Sequence, residues 1–285
     1  MVKTFRPETL SEALQILSGN PSTIIAGGTD LMAQKARGFG LKPNFDSPLM
    51  FIEHLNELKN ISLEDKKIHI GACAILTDLV DSYLIPETFK EVIGKMASPP
   101  TRNLATIGGN ICNASPAGDT LPFLYAMNAK LELQNYSSSR IVSIQNFIVS
   151  PKNTVLNNDE LLTNIIIPNK TFDINIYRKL GQRKGMSLTK ASFHGLANRS
   201  NNIINDVRIA LGSVAPTIVR SNEIENLISG CSQLDLKTLI PEILERYSKL
   251  ITPINDVRST AKYRKEVSVR MIEDFLCRLV DELQK

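Results

Sequence analysis

Hydrophobic and polar positions along the first hundred residues alternate between two periods. Leu10, Ala13, Leu14 and Leu17 recur at helical intervals, and Thr9 and Glu12 have capping-box spacing, which predicts an amphipathic helix. A short apolar run, Thr23 to Ala26, ends in Gly27-Gly28-Thr29-Asp30, and Leu31 to Arg37 follows as a short helix capped by Asp30 or Thr29. Strand-like segments at Leu49 to Ile52 and Ile68 to Ala72 precede a helix from about Glu87 to Met96. Residues 98–120 lose regular periodicity. Their Gly, Pro, Asn, Ser and Thr content predicts a long ordered loop system of the kind that usually carries function.

Period-two alternation returns at Lys130 to Gln134, with Leu131 and Leu133 on one face, and Leu161 to Ile167 reads as a more fully buried strand. The character of the chain changes after Asn169-Lys170. Runs at Ile174 to Leu180, Leu188 to Ala197 and Val207 to Val214 then predict a small antiparallel sheet. The final third is helical, and Ile272, Phe275, Leu276, Leu279 and Leu283 give the closing helix one apolar stripe. The pattern is α+β, with a domain boundary near residue 170.

Composition narrows the chemistry. The 285 residues are 42% hydrophobic and 22% charged, which suits a globular chain. A formal charge of +4 comes from 33 basic and 29 acidic residues spread along the chain, so nucleic acid is not an expected partner. No apolar run reaches the roughly 20 residues of a membrane span, and the N-terminal stretch turns polar where a signal peptide stays apolar. A cytoplasmic location is expected. There is no Trp, and the three His and four Cys (73, 112, 231, 277) lack metal-ligand spacing, so no metal site is expected. With side-chain catalysts this sparse, redox or hydrolytic chemistry is expected from a bound group.

The two glycine pairs, Gly27-Gly28 and Gly108-Gly109, are the candidate binding elements. A Gly-Gly step permits positive φ and close backbone approach, so successive amides can converge on one anion. Each pair follows β-prone residues and precedes small polar ones, an arrangement able to grip a diphosphate from two sides. Neither has P-loop or G-x-G-x-x-G spacing. Either loop taken alone also reads as a glycine turn with no ligand.

Four stretches, IIAGGTDL (24–31), RNLATIGGNICNASPAGDT (102–120), YRKLGQRKGMSLTKASF (177–193) and INDVRSTAKYRKEV (254–267), resemble in order and spacing the FAD-binding medium subunit of the molybdenum hydroxylases. That family includes xanthine dehydrogenase, aerobic carbon monoxide dehydrogenase and nicotinate dehydrogenase. The resemblance implies an FAD-binding fold of the vanillyl-alcohol-oxidase (PCMH) type over residues 1–170, with α+β subdomains of about 1–55 and 56–170. A C-terminal domain of antiparallel sheet with helices would occupy 171–285.

By the same resemblance, Ile24, Ile25, Ala26, Gly27, Gly28, Thr29, Asp30 and Leu31 lie at the FAD pyrophosphate, together with Thr106, Ile107, Gly108, Gly109 and Asn110. Asp119 binds a polar portion of the cofactor. Ala97, Ile165 and Lys184 or Lys190 are single-position matches, the lysines near the flavin ring. The resemblance further implies an oxidoreductase subunit that passes electrons from [2Fe–2S] clusters through FAD to NAD+ or another acceptor. A large molybdenum-cofactor subunit and a small [2Fe–2S] subunit would be its partners, in a dimer of heterotrimers.

The residues also admit plainer roles. Asp30 and Asp119 could cap helices, and Asn110 and Asn113 could satisfy loop backbone groups. Cys112 reads as a small packed residue, His194 as a structural one. Arg178, Lys179, Arg183 and Lys184 read as a solvated basic hairpin, or as a site facing reduced flavin or acidic partners. Two other functions remain open on the residues: a stand-alone FAD oxidoreductase resembling the UDP-N-acetylenolpyruvylglucosamine reductases or vanillyl-alcohol oxidases, and a non-catalytic FAD-carrying maturation module.

Overall fold

The structure is a computed structural model that describes residues 2–183 and 185–284. It divides into two compact units, residues 1–114 with 128–169, and 115–127 with 170–285.

The first unit begins with β1 (Thr4–Phe5), α1 (Leu10–Gly19), β2 (Thr23–Ile25), α2 (Leu31–Lys35) and β3 (Leu49–Phe51). Its three strands form a parallel sheet in the order β1-β3-β2. The α1 stripe of Ala13, Leu14 and Leu17 is buried with Met50 and Ile52, and Leu58, Cys73 and Leu161 extend that core. Thr9 caps α1 by accepting from the Glu12 amide at 3.2 Å, but the Glu12 carboxylate takes the Glu8 amide at 2.7 Å rather than that of Thr9.

Next come β4 (Ile61–Glu64), β5 (Lys67–Gly71) and the helices α3 (Leu76–Asp81), α4 (Glu87–Gly94), α5 (Pro99–Arg102) and α6 (Ile107–Cys112). Helix α7 (Thr120–Ala126) falls in the second unit. The chain then returns through β6 (Lys130–Gln134), β7 (Ser139–Ser143), α8 (Ile144–Phe147), β8 (Ile148–Ser150), β9 (Asn153–Thr154) and β10 (Leu161–Pro168). A five-stranded antiparallel sheet runs in the order β4-β5-β10-β6-β7, and β8 and β9 form a separate hairpin. Central position explains the continuous apolar run of β10, which is covered on both faces, whereas β6 alternates.

Residues 98–120 differ from the expected loop system, because they contain α5, α6 and the start of α7. Each helix is too short and too rich in Gly or Pro to show a hydrophobic period. Side-chain capping by Asp30 and Asp119 is also absent: both stand at helix starts without a cap hydrogen bond.

The second unit holds β11 (Ile174–Leu180), β12 (Ala191–Ser200) and β13 (Ile203–Gly212) in one antiparallel sheet, in that order. Helices α9 (Asn222–Ile228), α10 (Gln233–Leu250) and α11 (Ala261–Glu282) follow. The expected stripe on α11 is buried with Phe193, Ile209 and Leu211 of the sheet. The 254–267 motif is a structural knot. Buried Arg264 donates to the Ser213 carbonyl at 3.2 Å and to Asp256 at 2.5 Å, and Asp256 also accepts from the Arg258 side chain and amide. The α+β class and the C-terminal antiparallel sheet with helices are as expected. Among the described residues, no helix is long and apolar enough to cross a membrane.

Candidate functional site

In the first unit the two glycine segments come together because glycine lets protein backbone approach protein backbone. A Cβ on Gly27 would lie 1.8 Å from the Leu104 carbonyl oxygen, so Gly27 brings the first segment against residues 104–105, just ahead of the second. A Cβ on Gly108 would lie 2.6 Å from both Cβ and O of Ala72, so α6 packs directly on the chain leaving β5. Ile107 and Gly108 donate to the carbonyls of Ala74 and Ala72 at 3.0 and 2.9 Å.

Between these segments lies a cavity of about 450 Å³, within the usual range for small-molecule sites. Its floor is apolar and includes Ile52, Ala72, Leu161 and Leu162. Its rim is polar: Gly27 to Asp30, Gln34, Thr106, Asn110, Asn113 and Lys152. A bulge in β10 between Leu162 and Asn164 falls beside the cavity, and the extra residue, Thr163, accepts the Ala72 amide at 3.0 Å.

The two segments offer different chemistry. Gly28 has φ +66°, and among the described residues no group of the chain accepts a hydrogen bond from the amides of Gly27, Gly28, Thr29 or Asp30. The second segment departs from the expected anion-gripping loop. Gly108 and Gly109 lie in the first turn of α6 without positive φ. Their amides are used inside the chain, Gly109 donating to the capping Thr106 hydroxyl at 3.1 Å and Asn110 to the Thr106 carbonyl at 3.0 Å. That segment therefore contributes side chains and shape, and the first contributes donors.

At the rim, the Lys152 ammonium lies 3.3 Å from an Asp30 carboxylate oxygen and also donates to the Asn113 side-chain oxygen. Gln34 donates to Asp30, and to Asn113 at 3.4 Å. Asp30 is thus already neutralised by partners of its own. Burial pushes the thiols of Cys73 and Cys112, which both line the cavity, up to about 12, so neither is a thiolate at neutral pH.

Twelve residues expected at the cofactor line this cavity: Ile24, Ile25, Ala26, Gly27, Gly28, Thr29, Asp30, Leu31, Thr106, Gly108, Gly109 and Asn110. Three others of the same unit do not. Ile107 is fully buried in the first turn of α6, Ala97 forms a positive-φ turn after α4, and Ile165 is fully buried within β10. Asp119 and Lys190 belong to the second unit. There the Asp119 carboxylate pairs with Lys179 at 2.6 Å and accepts from Thr189 at 2.5 Å. The Lys179 side chain, 9% exposed, is accordingly largely enclosed by this pairing rather than part of a solvated hairpin. Lys184 lies outside the described residues.

Sequence reasoning missed Gln34, Cys73, Lys152, Leu161 and Leu162 as lining residues. Gln34 sits one helical turn beyond Asp30, a signal that was available. Lys152 sits in a Pro-Lys-Asn turn that carries no such signal.

A concave apolar floor with, among the described residues, a rim of uncommitted amides and a single cation suits an organic anion of nucleotide type. These residues fit the phosphate-bearing part of a dinucleotide cofactor. The family described as FAD binding domain in molybdopterin dehydrogenase matches residues 1–170, and that described as CO dehydrogenase flavoprotein C-terminal domain matches residues 177–279. The chain is 33% identical over 270 residues to the glyceraldehyde dehydrogenase medium chain of Sulfolobus acidocaldarius, covering 92% of each. It is 28% identical over 286 residues to the xanthine dehydrogenase FAD-binding subunit of Escherichia coli O157:H7, covering 97% of this chain and 94% of the relative. Carbon monoxide dehydrogenase from Hydrogenophaga pseudoflava shares the fold, with a TM-score of 0.85 at 24% identity over 96% of this chain and 95% of that one. The chain belongs to the FAD-binding subunits of the molybdenum hydroxylase family.

Proposed function

We propose that this chain is the electron-transferring flavoprotein subunit of a heteromeric, cytoplasmic molybdenum hydroxylase. Its partners are a large molybdenum-cofactor subunit and a small [2Fe–2S] subunit, in a dimer of heterotrimers. Bound FAD supplies reversible two-electron chemistry, which links one-electron iron–sulfur donors to NAD+ or another two-electron acceptor. Within the chain, the Gly27 to Asp30 amides hold the anionic part of the cofactor. Thr106, Gly108, Gly109 and Asn110 shape the opposite wall, and the apolar floor excludes water. The functional division of the chain falls near residue 170.

The observation that carries this reading is the cavity of the first unit, where uncommitted amides and one lysine face an apolar floor. The medium-chain and subunit designations of its relatives support membership of a multi-subunit enzyme. A [2Fe–2S] donor on another chain accords with the cysteine pattern, which has no cluster-type spacing.

The full chain, purified after expression, is expected to be yellow and to release one FAD per chain on denaturation. Colourless protein that takes up no FAD overturns the reading. Anaerobic NADH is expected to bleach the flavin if NAD+ is the acceptor, and flavin that stays oxidised in the assembled complex excludes that acceptor. Turnover of a small organic substrate by the isolated chain would favour a stand-alone oxidoreductase.

A further inference from the structure

We propose that Lys152 is the cation that binds the diphosphate of the cofactor, and that its pairing with Asp30 is a resting contact exchanged for the ligand. The proposal deepens, and rests on, the FAD-binding reading of the same cavity.

Lys152 is the only cationic side chain, and Asp30 the only carboxylate, lining that cavity among the described residues. The backbone delivers Lys152 there at a cost. It adopts φ +64° in the turn between β8 and β9, a left-handed conformation that glycine or asparagine takes more easily. Its amide is tied to the Ala114 carbonyl at 3.0 Å, just beyond the end of α6. A strained position that keeps a long cationic side chain at a cavity rim points to a role for the charge.

The resting contacts are suited to exchange. Lys152 and Asp30 side chains are 52% and 55% exposed, and an ion pair that open contributes little to stability. The same rim carries the amides of Gly27 to Asp30, with Gly28 in the positive-φ conformation that lets successive N–H groups point at one anion. An anion there would meet both amide donors and an ammonium. The Asp30 carboxylate would oppose it; in the resting state Lys152 offsets that charge, and Gln34 adds a neutral hydrogen bond to the carboxylate. Lys152 thus attracts the diphosphate at the expense of its pairing with Asp30, and the two anions compete for one ammonium.

Opposite outcomes follow for the two partners. Titration of cofactor-stripped full-length protein with FAD and riboflavin, read by flavin fluorescence, is expected to give about ten- to a hundred-fold weaker FAD binding for Lys152→Gln. Riboflavin, which has no phosphate, should bind that variant as it binds the wild type. Lys152→Arg should restore most of the FAD affinity, and the Asp30→Asn variant should bind FAD at least as tightly as the wild type. Raising the salt concentration should weaken FAD binding to the wild type more than to Lys152→Gln.

Unchanged FAD affinity in Lys152→Gln overturns the proposal and leaves the FAD reading standing. Equal loss of FAD and riboflavin, with a lowered melting temperature, overturns it as well by reducing Lys152 to a structural residue. Wild-type protein that binds no FAD overturns the underlying reading.

Discussion

His194 faces Tyr177 across the β11–β12 ladder and meets the Phe123 ring edge-on at 5.3 Å. It is fully buried, and burial pulls its pKa down to about 3 from an ordinary value near 6.5. The folded protein therefore keeps the ring neutral where the unfolded chain takes up a proton. Stability from this residue is complete above pH 6.5 and declines as pH falls toward 3, by about 1.4 kcal/mol per pH unit. Denaturant unfolding of the wild type and His194→Phe between pH 7 and 4 should show the variant losing one proton's worth of acid sensitivity. Parallel pH profiles would contradict this burial-driven effect. That His194 is structural was legible from its place in the strand-like run at Leu188 to Ala197, whereas its neutrality depends on rings from separate segments.

Helix α6 is the element on which the site turns. Glycine costs about 1 kcal/mol against alanine inside a helix, so Gly108-Gly109 argues locally against one. Docking supplies what propensity withholds: Thr106 caps the first turn, and the amides of Ile107 and Gly108 bond to the chain after β5. Gly108→Ala should destabilise the protein by about 1–3 kcal/mol and weaken FAD retention, because its Cβ would strike Ala72 at 2.6 Å. Gly19→Ala, at the end of α1 with nothing within 4 Å, should stay within about 1 kcal/mol of wild type. Chemical denaturation of both variants checks the contrast, and equal effects would mean that the close approach of α6 does not matter. The glycine motif was legible as a site element. Its helical form was not, since the partners that stabilise it lie more than thirty residues earlier.

At the scale of the molecule, the chain leaves the first unit at residue 115 and returns at 128. The intervening α7 is wholly buried in the second unit, where Arg208 donates to the Ala126 carbonyl at 2.9 Å and Pro122 approaches Gly212. A fragment of residues 1–170 would carry Leu121, Phe123 and Leu124 without β12 and β13 to cover them. It is expected to bind a hydrophobic dye and to aggregate, in contrast to the full chain. A monomeric fragment that binds no dye would show that α7 needs no such cover.

The sequence alone determined what depends on neighbouring residues. Periodicity fixed the helix over 10–19, the strand at 130–134 and the apolar stripe of α11, because each buries one face at a regular interval, and uninterrupted apolar or β-prone runs gave the strands at 161–167 and 174–180. The order of its motifs also carried the family. Tertiary structure decided which distant residues share a cavity, joining Lys152 and Leu161 to Gly27, and it placed residues 115–127 with the second unit. Those outcomes depend on packing between segments far apart in the chain, which leaves no periodic trace in the segments themselves.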